Sequence, residues 1–436
     1  MEKKDGEEED HGDFPSSSSS DDDEVKIRDC IEELVKFTLV QSHFLNDNLS
    51  PQFCSTLLKH DPSSSSHSHT HTQQDSLEGV PPYPLYKRLA SALLRCMDSE
   101  AICWTGCNLA MTLEDTTSMQ QNHDEWHKLI VEKGSEIVNI LKSVSFELHV
   151  QEPFFSQLND GLKTIEGRCA SSKYSRVELG NLILINKSVV FEVKGVRRYP
   201  TFSDMLEAES LGKVLPGVES VEEGVKVYRR FYTEEKERAN GVLGIAVSKV
   251  AHQPYISLAD LFSGLSYEGV QCLLGLMHTT GTSPDALPPP RSTLLASFNL
   301  PCNPIVKSSS LTHGARALAK HACRSSDGYW GTLEGSDSNK NRLAMNAINH
   351  LIEHCCWMNL HAVSPHGIVF EIRVADGYGA RWTEDGTKSP TCKMVTQRDG
   401  STSSSYQTTT AASLYMNATC IMGDVRTSDD QPSGSL

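Results

Sequence analysis

Two short apolar runs joined by a three-residue polar turn constrain the fold of this chain most. Leu182-Ile183-Leu184-Ile185 and Val189-Val190-Phe191-Glu192-Val193 flank Asn186-Lys187-Ser188, which is typical of two strands joined by a tight turn. Phe146–Val150 alternates like a half-buried strand, and Val242–Val247 is another strand-like run. Helical patterns separate these runs, at Pro153–Leu162, Phe202–Ser210 and Val221–Tyr232. Strands on short connections with inserted helices predict a small β-barrel with helical decoration, within an α+β fold class.

The length and composition place this barrel within a larger chain that has no membrane segment. The chain of 436 residues is long enough for two or three domains of roughly 100–200 residues each. No run approaches about 18 consecutive apolar residues, so we expect no spanning helix. The acidic first 24 residues contain no apolar core of the kind that signal peptides carry. We therefore expect a protein of the nucleus or cytoplasm with no membrane partner.

Net charge and cysteine usage exclude further classes. The formal net charge of the chain is −16. Residues 1–24 contribute −9 of this charge, because they contain 11 acidic and 2 basic side chains. The rest of the chain is only mildly acidic, which excludes a globally basic DNA-coating protein and leaves RNA open. The 13 cysteines include no CxxC pair, so we predict free thiols in a reducing compartment and no zinc ribbon.

Changes in composition divide the chain into segments. The helical part is supported by an apolar stripe at Leu85, Leu89, Leu93 and Cys96. We predict the following division: a disordered acidic tail at 1–24, a helical region at 25–143 with a Ser- and His-rich linker at 60–80, the barrel at 144–250, a helical extension at 251–278, a Pro- and Ser-rich linker at 279–310, a His-rich α+β unit at 311–388 and a disordered Ser- and Thr-rich tail at 389–436. His67, His69 and His71 could hold a metal weakly, although a polar linker is the simpler interpretation.

The strongest local signal is the charged segment Gly161–Arg168, which reads GLKTIEGR. Lys163 and Glu166 are three residues apart, so on one helical turn they would face the same side and pair. Gly167 would let the backbone turn and aim Arg168 back toward that pair. Such a cluster offers two cations for phosphate and a carboxylate that orients them or accepts from a base edge. The alternative is a solvated cluster of surface charge.

The spacing GxKxxExR, between an opening strand and an alternating β unit, resembles the signature of the ASCH (activating signal cointegrator homology) domain. The resemblance covers about 105 residues, from Val144 to Val250. It continues through separated blocks at Val193–Tyr199, Met205–Glu209, Val214–Val218, Glu223–Val225 and Tyr228–Tyr232.

This resemblance implies a PUA-like β-barrel with a cleft that binds RNA or nucleotide-like ligands. We expect no cofactor. The matching cleft candidates are Gly161, Lys163, Glu166 and Arg168. One branch of the superfamily hydrolyses an acetylated cytidine through a Lys-x-x-Thr motif. Lys163 is present here, but Glu166 stands at the threonine position, which disfavours hydrolysis.

A second basic group lies on the strand that follows. Arg197 and Tyr199 would share one face of the strand while Arg198 takes the other. An arginine beside a stacking aromatic is an arrangement used for single-stranded nucleic acid, whereas the simpler interpretation is a solvated strand face. Residues 144–250 contain 15 basic and 15 acidic side chains, so RNA binding there would depend on local charge segregation and be modest.

The C-terminal unit is rich in histidine and cysteine. His350-Leu351-Ile352-Glu353-His354 matches the HxxEH pattern of inverted zinc peptidases, and its two histidines share a helix face. The same helix carries an ordinary apolar stripe, so we predict packing without a metal. Glu371–Trp382 reads as a strand, a glycine turn and an Arg–Trp pair. With Leu311–Leu318 it resembles a block that accompanies the ASCH unit in plant proteins.

These patterns predict an RNA-binding protein that acts through its barrel cleft without catalytic residues. Helical and C-terminal units would bring protein partners. One alternative is a protein-interaction scaffold with a vestigial cleft. The other is an amidohydrolase-like enzyme in which Lys163 works without the usual threonine.

Overall fold

The computed structural model describes residues 20–45, 48–63, 78–98, 113–171, 174–279, 281–302, 310–322 and 329–388. The polypeptide divides into two compact units. The first comprises Met1–Leu77, Pro81–Trp104 and Gln121–Leu274, and the second comprises Glu78–Val80, Thr105–Gln120 and Gly275–Leu436. Of the predicted disordered tail at 1–24, residues 20–24 lie instead in a helix that begins at Ser20. Residues 1–19, the three spaced histidines and 389–436 fall outside the described residues.

The first unit begins with helices that pack together with the last helix of the unit. They are α1 (Ser20–Val40), α2 (Pro51–Leu58), α3 (Leu85–Asp98) and α4 (Leu113–Lys142), and the last is α10 (Pro254–Leu273). The α2 helix starts where Ser50 accepts a hydrogen bond from the Phe53 amide and Pro51 occupies the first turn. The predicted stripe on α3 is buried, because Leu85, Leu89 and Leu93 are each inaccessible to solvent.

A curled half-barrel sheet forms the centre of the first unit. Its strands are β1 (Phe146–Leu148), β2 (Ile165–Cys169), β3 (Leu182–Ile185), β4 (Val189–Tyr199) and β5 (Val242–Lys249). They lie in the order β1-β3-β4-β5-β2, with β1 and β3 parallel and all other pairs antiparallel. The predicted turn joins β3 to β4 through Asn186 and Lys187, both with positive φ. The α+β class is confirmed, with the sheet closed only halfway toward a barrel.

Short helices cover one side of this sheet. They are α5 (Phe154–Asn159), ahead of β2, and α6 (Phe202–Glu209), α7 (Leu211–Val214), α8 (Val221–Tyr228) and α9 (Glu234–Asn240), between β4 and β5. Phe202 and Tyr228 stack with their ring centroids 4.1 Å apart, and Met205 and Leu206 complete the buried cluster. The N-terminal helices also pack on the sheet, since Cys30 of α1 lies against Leu184 and Val190. These helices therefore belong to the same unit as the sheet.

The second unit is a three-stranded antiparallel sheet covered by helices. The helices are α11 (Arg291–Asn299), α12 (His313–Ala322) and α13 (Asp337–His354), and the strands are β6 (Trp357–Val363), β7 (Gly367–Arg373) and β8 (Gly379–Thr383), in that order across the sheet. Phe298 of α11 and Phe370 of β7 both contact the buried ring of Trp382, and the Trp382 indole donates a hydrogen bond to the Leu294 carbonyl. One face of the sheet is therefore core.

The segment 279–310, predicted as a linker, contributes to this core instead. Its proline-rich sequence leads into α11, whose Leu294, Ser297 and Phe298 side chains are buried. A Cβ on Gly314 of α12 would lie 2.9 Å from Cδ1 of Phe298, so the two helices pack closely. Proline-rich composition thus marks the start of a helix here rather than a flexible connection.

Two other expectations concern cysteines and membranes. Cys30, Cys54, Cys169, Cys272 and Cys302 are free thiols among the described residues, as predicted, whereas Cys356 is disulfide-bonded. Among the described residues, no helix has the length and apolar character needed to cross a bilayer.

We expect Phe298→Ala to lower the free energy of unfolding of the second unit by about 3–5 kcal/mol, because it opens a cavity beside Trp382. Leu300, just past the same helix, is 51% exposed, so Leu300→Ala should change stability by less than about 0.5 kcal/mol. Urea unfolding followed by tryptophan fluorescence measures both. Equal effects of the two variants would show that α11 is not a core element.

Candidate functional site

The motif segment leaves α5 through a turn at Gly161, where φ is 74°, and enters β2 at Ile165. The spacing predicts that Lys163 and Glu166 share a helical turn, and this prediction is wrong. Lys163 lies in the loop and Glu166 on the strand, yet the Lys163 Nζ is 3.2 Å from the Glu166 Oε2. Their pairing is thus present in a different backbone setting. Gly161 itself is exposed, with open space around its Cα.

The Lys163 ammonium is enclosed by protein. The residue is 2% exposed, and its Nζ donates hydrogen bonds to the carbonyl oxygens of Ile165, at 2.8 Å, and of Val214. With the Glu166 carboxylate, these acceptors match the three donors of an ammonium group. Burial lowers the pKa of Lys163, and the charge of Glu166 opposes that shift. The idea that Lys163 contacts phosphate therefore does not fit this geometry.

Glu166 joins Lys163 to Arg168, the third charge of the motif. The Glu166 Oε1 is 3.0 Å from the Arg168 Nε, and an Arg168 terminal nitrogen donates to the His149 carbonyl at 2.6 Å. Burial alone would lower the pKa of Arg168, but the charge of Glu166 together with Tyr232 and Tyr174 raises that pKa. The Arg168 side chain is 15% exposed, more than either partner, and its guanidinium carbon lies 5.8 Å from the Tyr174 ring. Arg168 is therefore the most exposed member of a largely buried chain of three charges.

Gly167 has a different role from the predicted one. It lies inside β2, not in a turn, and a Cβ there would be 2.3 Å from the Tyr228 hydroxyl oxygen and 2.7 Å from the Met205 Cε. Burial raises the pKa of that Tyr228 hydroxyl well above its ordinary value. The glycine is thus required by close packing of a tyrosine against the strand.

The residues Arg197, Arg198 and Tyr199 divide between two faces of the sheet, as strand alternation predicts. An Arg197 nitrogen lies 3.2 Å from the Glu209 carboxylate, and the Tyr199 hydroxyl donates to the same carboxylate at 2.6 Å. Arg198 pairs across β4 and β5 with Leu243, which in turn pairs with Arg168 on β2. Directly paired residues share a face, so Arg198 and Arg168 are on one face, opposite to Arg197 and Tyr199. The sheet therefore does not gather all the candidates into one groove.

The HxxEH pair lies in the last turns of α13. The ring centroids of His350 and His354 are 4.5 Å apart, and the His354 Nδ1 is 3.0 Å from the His350 carbonyl oxygen. In the part of the chain that the structure describes, no group of three or more His, Cys, Asp or Glu side chains could hold a metal ion. The absence of metal remains a prediction for the whole chain.

A charged cluster on the second sheet was missed by sequence reasoning. Glu371, in the middle of the central strand β7, is fully buried and accepts from three side chains. The His361 Nε2 is 3.1 Å from its Oε2, an Arg373 terminal nitrogen is 2.6 Å from its Oε1, and the Arg381 Nε contacts Oε2. Burial would raise the pKa of Glu371, but the His361 hydrogen bond and the two arginine charges lower it to about 2.

This cluster occupies the face of the sheet opposite to the apolar core. Glu371 pairs with Asn359 on β6 and with Arg381 on β8, so the polar side chains of three strands face the same way. The Arg373 guanidinium carbon lies 5.0 Å from the centre of the Trp357 ring. The strict alternation of Phe370, Glu371, Ile372 and Arg373 was the available signal, because it predicts one apolar and one charged face.

Comparison with known proteins gives two family matches in separate parts of the chain. Residues 148–251 match the ASCH domain, and residues 302–389 match the CdiA C-terminal tRNase toxin domain. Two similar solved structures are the hypothetical protein PH0355, at 42% identity and a TM-score of 0.24, and protein PF0455 from Pyrococcus furiosus, at 41% identity and a TM-score of 0.23. Each alignment covers 24% of this chain and 98% of the other. No significant match was found among curated proteins.

We expect Glu166→Gln to reduce the free energy of unfolding by about 3–5 kcal/mol, because it leaves Lys163 and Arg168 buried without their counter-charge. Urea titration measures the loss, and adding Lys163→Met to the variant should recover part of it. The matched control is Glu192→Gln, whose ion pair with Lys194 is on the surface and should contribute less than about 1 kcal/mol. Equal losses for the two glutamates would contradict this account.

The pKa of Glu371 predicts how the stability of the second unit depends on pH. Folding lowers this pKa from 4.5 to about 2, so the contribution is complete above 4.5 and lost as the pH falls toward 2. We expect a loss on the order of 3 kcal/mol across that interval. Urea titrations by tryptophan fluorescence, with Trp104 and Trp126 changed to Phe, would report this unit. The same slope in Glu371→Gln would contradict the assignment.

Proposed function

Because the chain belongs to the ASCH domain family through residues 148–251, we propose that it binds RNA through this domain without catalysis there. The observation that carries the proposal is the chain of charges from Lys163 through Glu166 to Arg168, which presents one arginine toward solvent. Arg198 lies on the same face of the sheet, two strands away. The Cα atoms of Arg168 and Arg198 are thus about 10 Å apart, given the usual strand spacing.

The three charges of the motif have different roles in this proposal. Arg168 contacts the phosphate, since a guanidinium matches phosphate oxygens in a fixed planar geometry. Glu166 holds that guanidinium in place from behind, and Lys163 neutralises Glu166 and ties it to the Ile165 carbonyl. Tyr174 lies against Arg168 and supplies an aromatic ring on which a base can stack.

Arg197 and Tyr199 have a smaller part in the proposal than sequence alone suggested. The Glu209 carboxylate engages both of them on the opposite face, and Tyr199 also packs on the buried cluster around Met205. With equal numbers of acidic and basic side chains in the domain, we propose modest, salt-sensitive binding to single-stranded RNA. Such a role agrees with location in the nucleus or cytoplasm.

The two neighbouring arginines of β4 allow a matched test. Titrating the full chain against a labelled single-stranded RNA at several salt concentrations gives the slope of log affinity against log salt. We expect Arg198→Ala to flatten that slope by about 0.7, the value for one phosphate contact on a single strand. Arg197→Ala should leave the slope nearly unchanged, since its charge is paired with Glu209 on the other face. The same slope in both variants would favour the interaction-scaffold alternative.

The amidohydrolase alternative needs a reactive lysine amine. Lys163 is saturated by two carbonyls and a carboxylate, and the threonine position is taken by Glu166. We therefore expect the full chain to leave N4-acetylcytidine intact, as measured by release of acetate. Release that depends on the protein and disappears in Lys163→Ala would overturn this expectation.

A second candidate function concerns the C-terminal unit. Residues 302–389 match a domain described as a tRNase toxin, and the matched segment contains the charged face of β6–β8. We propose that this unit cleaves RNA. The chain would then combine an RNA-binding domain with an RNA-cleaving one.

A further inference from the structure

We propose that the charged face of the second sheet is the site of that cleavage, with His361 as the group that takes the proton from an RNA 2′-hydroxyl. This inference rests on the proposed cleavage of RNA by the C-terminal unit and assigns the residues that perform it. The face is formed by Trp357, His361, Glu371, Arg373 and Arg381 on three neighbouring strands.

Glu371 is the positioning residue of this site. It is fully buried, so no RNA group touches it directly, and its two oxygens hold His361 and both arginines. The carboxylate orients the imidazole by engaging its Nε2, which leaves Nδ1 as the nitrogen that can accept a proton. Because a rigid strand carries Glu371, the groups around it are set in place before a substrate arrives.

Charge balance indicates an anionic ligand. The two arginines bring two positive charges to a single carboxylate, so the cluster keeps an excess positive charge even when His361 is neutral. Arg373 and Arg381 are 27% and 14% exposed, so they combine partial burial with access from solvent. A guanidinium in such a setting binds the oxygens of a phosphodiester more strongly than it would at an open surface.

Trp357 adds a feature that points to a nucleic acid. Its ring lies 5.0 Å from the Arg373 guanidinium carbon and 6.1 Å from the His361 ring centre, at nearly a right angle to the latter. The indole is half-buried beside the two groups that would handle the phosphate. An aromatic ring in this position can stack on a base next to the cleaved bond.

The chemical step is an internal transesterification. His361 Nδ1 takes the 2′-hydroxyl proton as the 2′ oxygen bonds to the adjacent phosphorus, and the bond from phosphorus to the 5′ oxygen breaks. The 5′ oxygen keeps that electron pair and takes a proton from a water molecule, which regains one from the imidazolium. Arg373 and Arg381 stabilise the added negative charge on the phosphate oxygens. The products are a 2′,3′-cyclic phosphate and a 5′-hydroxyl, with no net consumption of water.

The test uses the full chain with two probes, total bacterial tRNA and a labelled single-stranded RNA, beside DNA of the same sequence. We expect cleavage of at least one RNA, ends of the two types named above, and intact DNA. His361→Ala should slow cleavage by at least about 100-fold, the usual contribution of a positioned acid–base group. The control is His366→Ala, an exposed histidine in the turn between β6 and β7, which should cleave normally.

Chemical rescue separates a proton-transfer role from a structural one. Added imidazole should restore part of the activity of His361→Ala, but not that of Glu371→Gln, in which the arginines also lose their anchor. Circular dichroism checks that the variants are folded, and His361→Gln is the substitute if His361→Ala is not.

Several outcomes would overturn the inference. These are no cleavage of either RNA, cleavage of DNA, full activity in His361→Ala, and no rescue by imidazole. None of these outcomes contradicts RNA binding by the ASCH domain, because that proposal is tested separately. Its test is the slope of log affinity against log salt in Arg198→Ala and Arg197→Ala.

Discussion

A buried carboxylate that must be neutralised organises the ASCH domain. Removing a charge from water costs several kcal/mol unless an opposite charge and hydrogen bonds replace the solvent. Glu166 meets this requirement with Lys163 on one side and Arg168 on the other, and Lys163 then needs the Val214 carbonyl as well. One charge network therefore ties together the loop before β2, the strand itself and the end of α7. The residues that form the motif are part of the core and of the proposed binding surface at once.

The second sheet also contains a buried carboxylate that is neutralised by neighbouring cations, but its cations are more exposed. Glu371 is also a buried carboxylate, but it lies on a central strand and is shared by three side chains from three strands. In the ASCH domain most of the charge is enclosed and one arginine reaches solvent. On the second sheet the carboxylate is enclosed and the cations around it remain partly accessible. We propose that the first arrangement holds RNA and that the second cleaves it.

Sequence patterns predicted what depends on neighbours along the chain. The β3–β4 turn, the stripe on α3 and the opposite faces of Arg197 and Arg198 follow from local spacing and alternation. Lys163 does pair with Glu166, but across a loop and a strand and not on the helical turn that the spacing predicts. The burial of Lys163 does not follow from local spacing, because one of its acceptors comes from a residue 51 positions later. The α11 helix was missed because its prolines resemble those of a linker. Alternation along β7 predicts a charged face, but which side chains of β6 and β8 meet Glu371 depends on the register of the three strands.

The position of β2 at the edge of the sheet has a consequence for the order of events during synthesis. Among the described strands, β2 pairs only with β5, and their register joins Glu166 to Ile245. Four helices and two strands separate them in the chain. On the ribosome, the motif strand is thus complete long before its partner has emerged. Arg168 reaches its final position only after β5 is made. A chain released from the ribosome before β5 would therefore contain the motif residues but not the folded site.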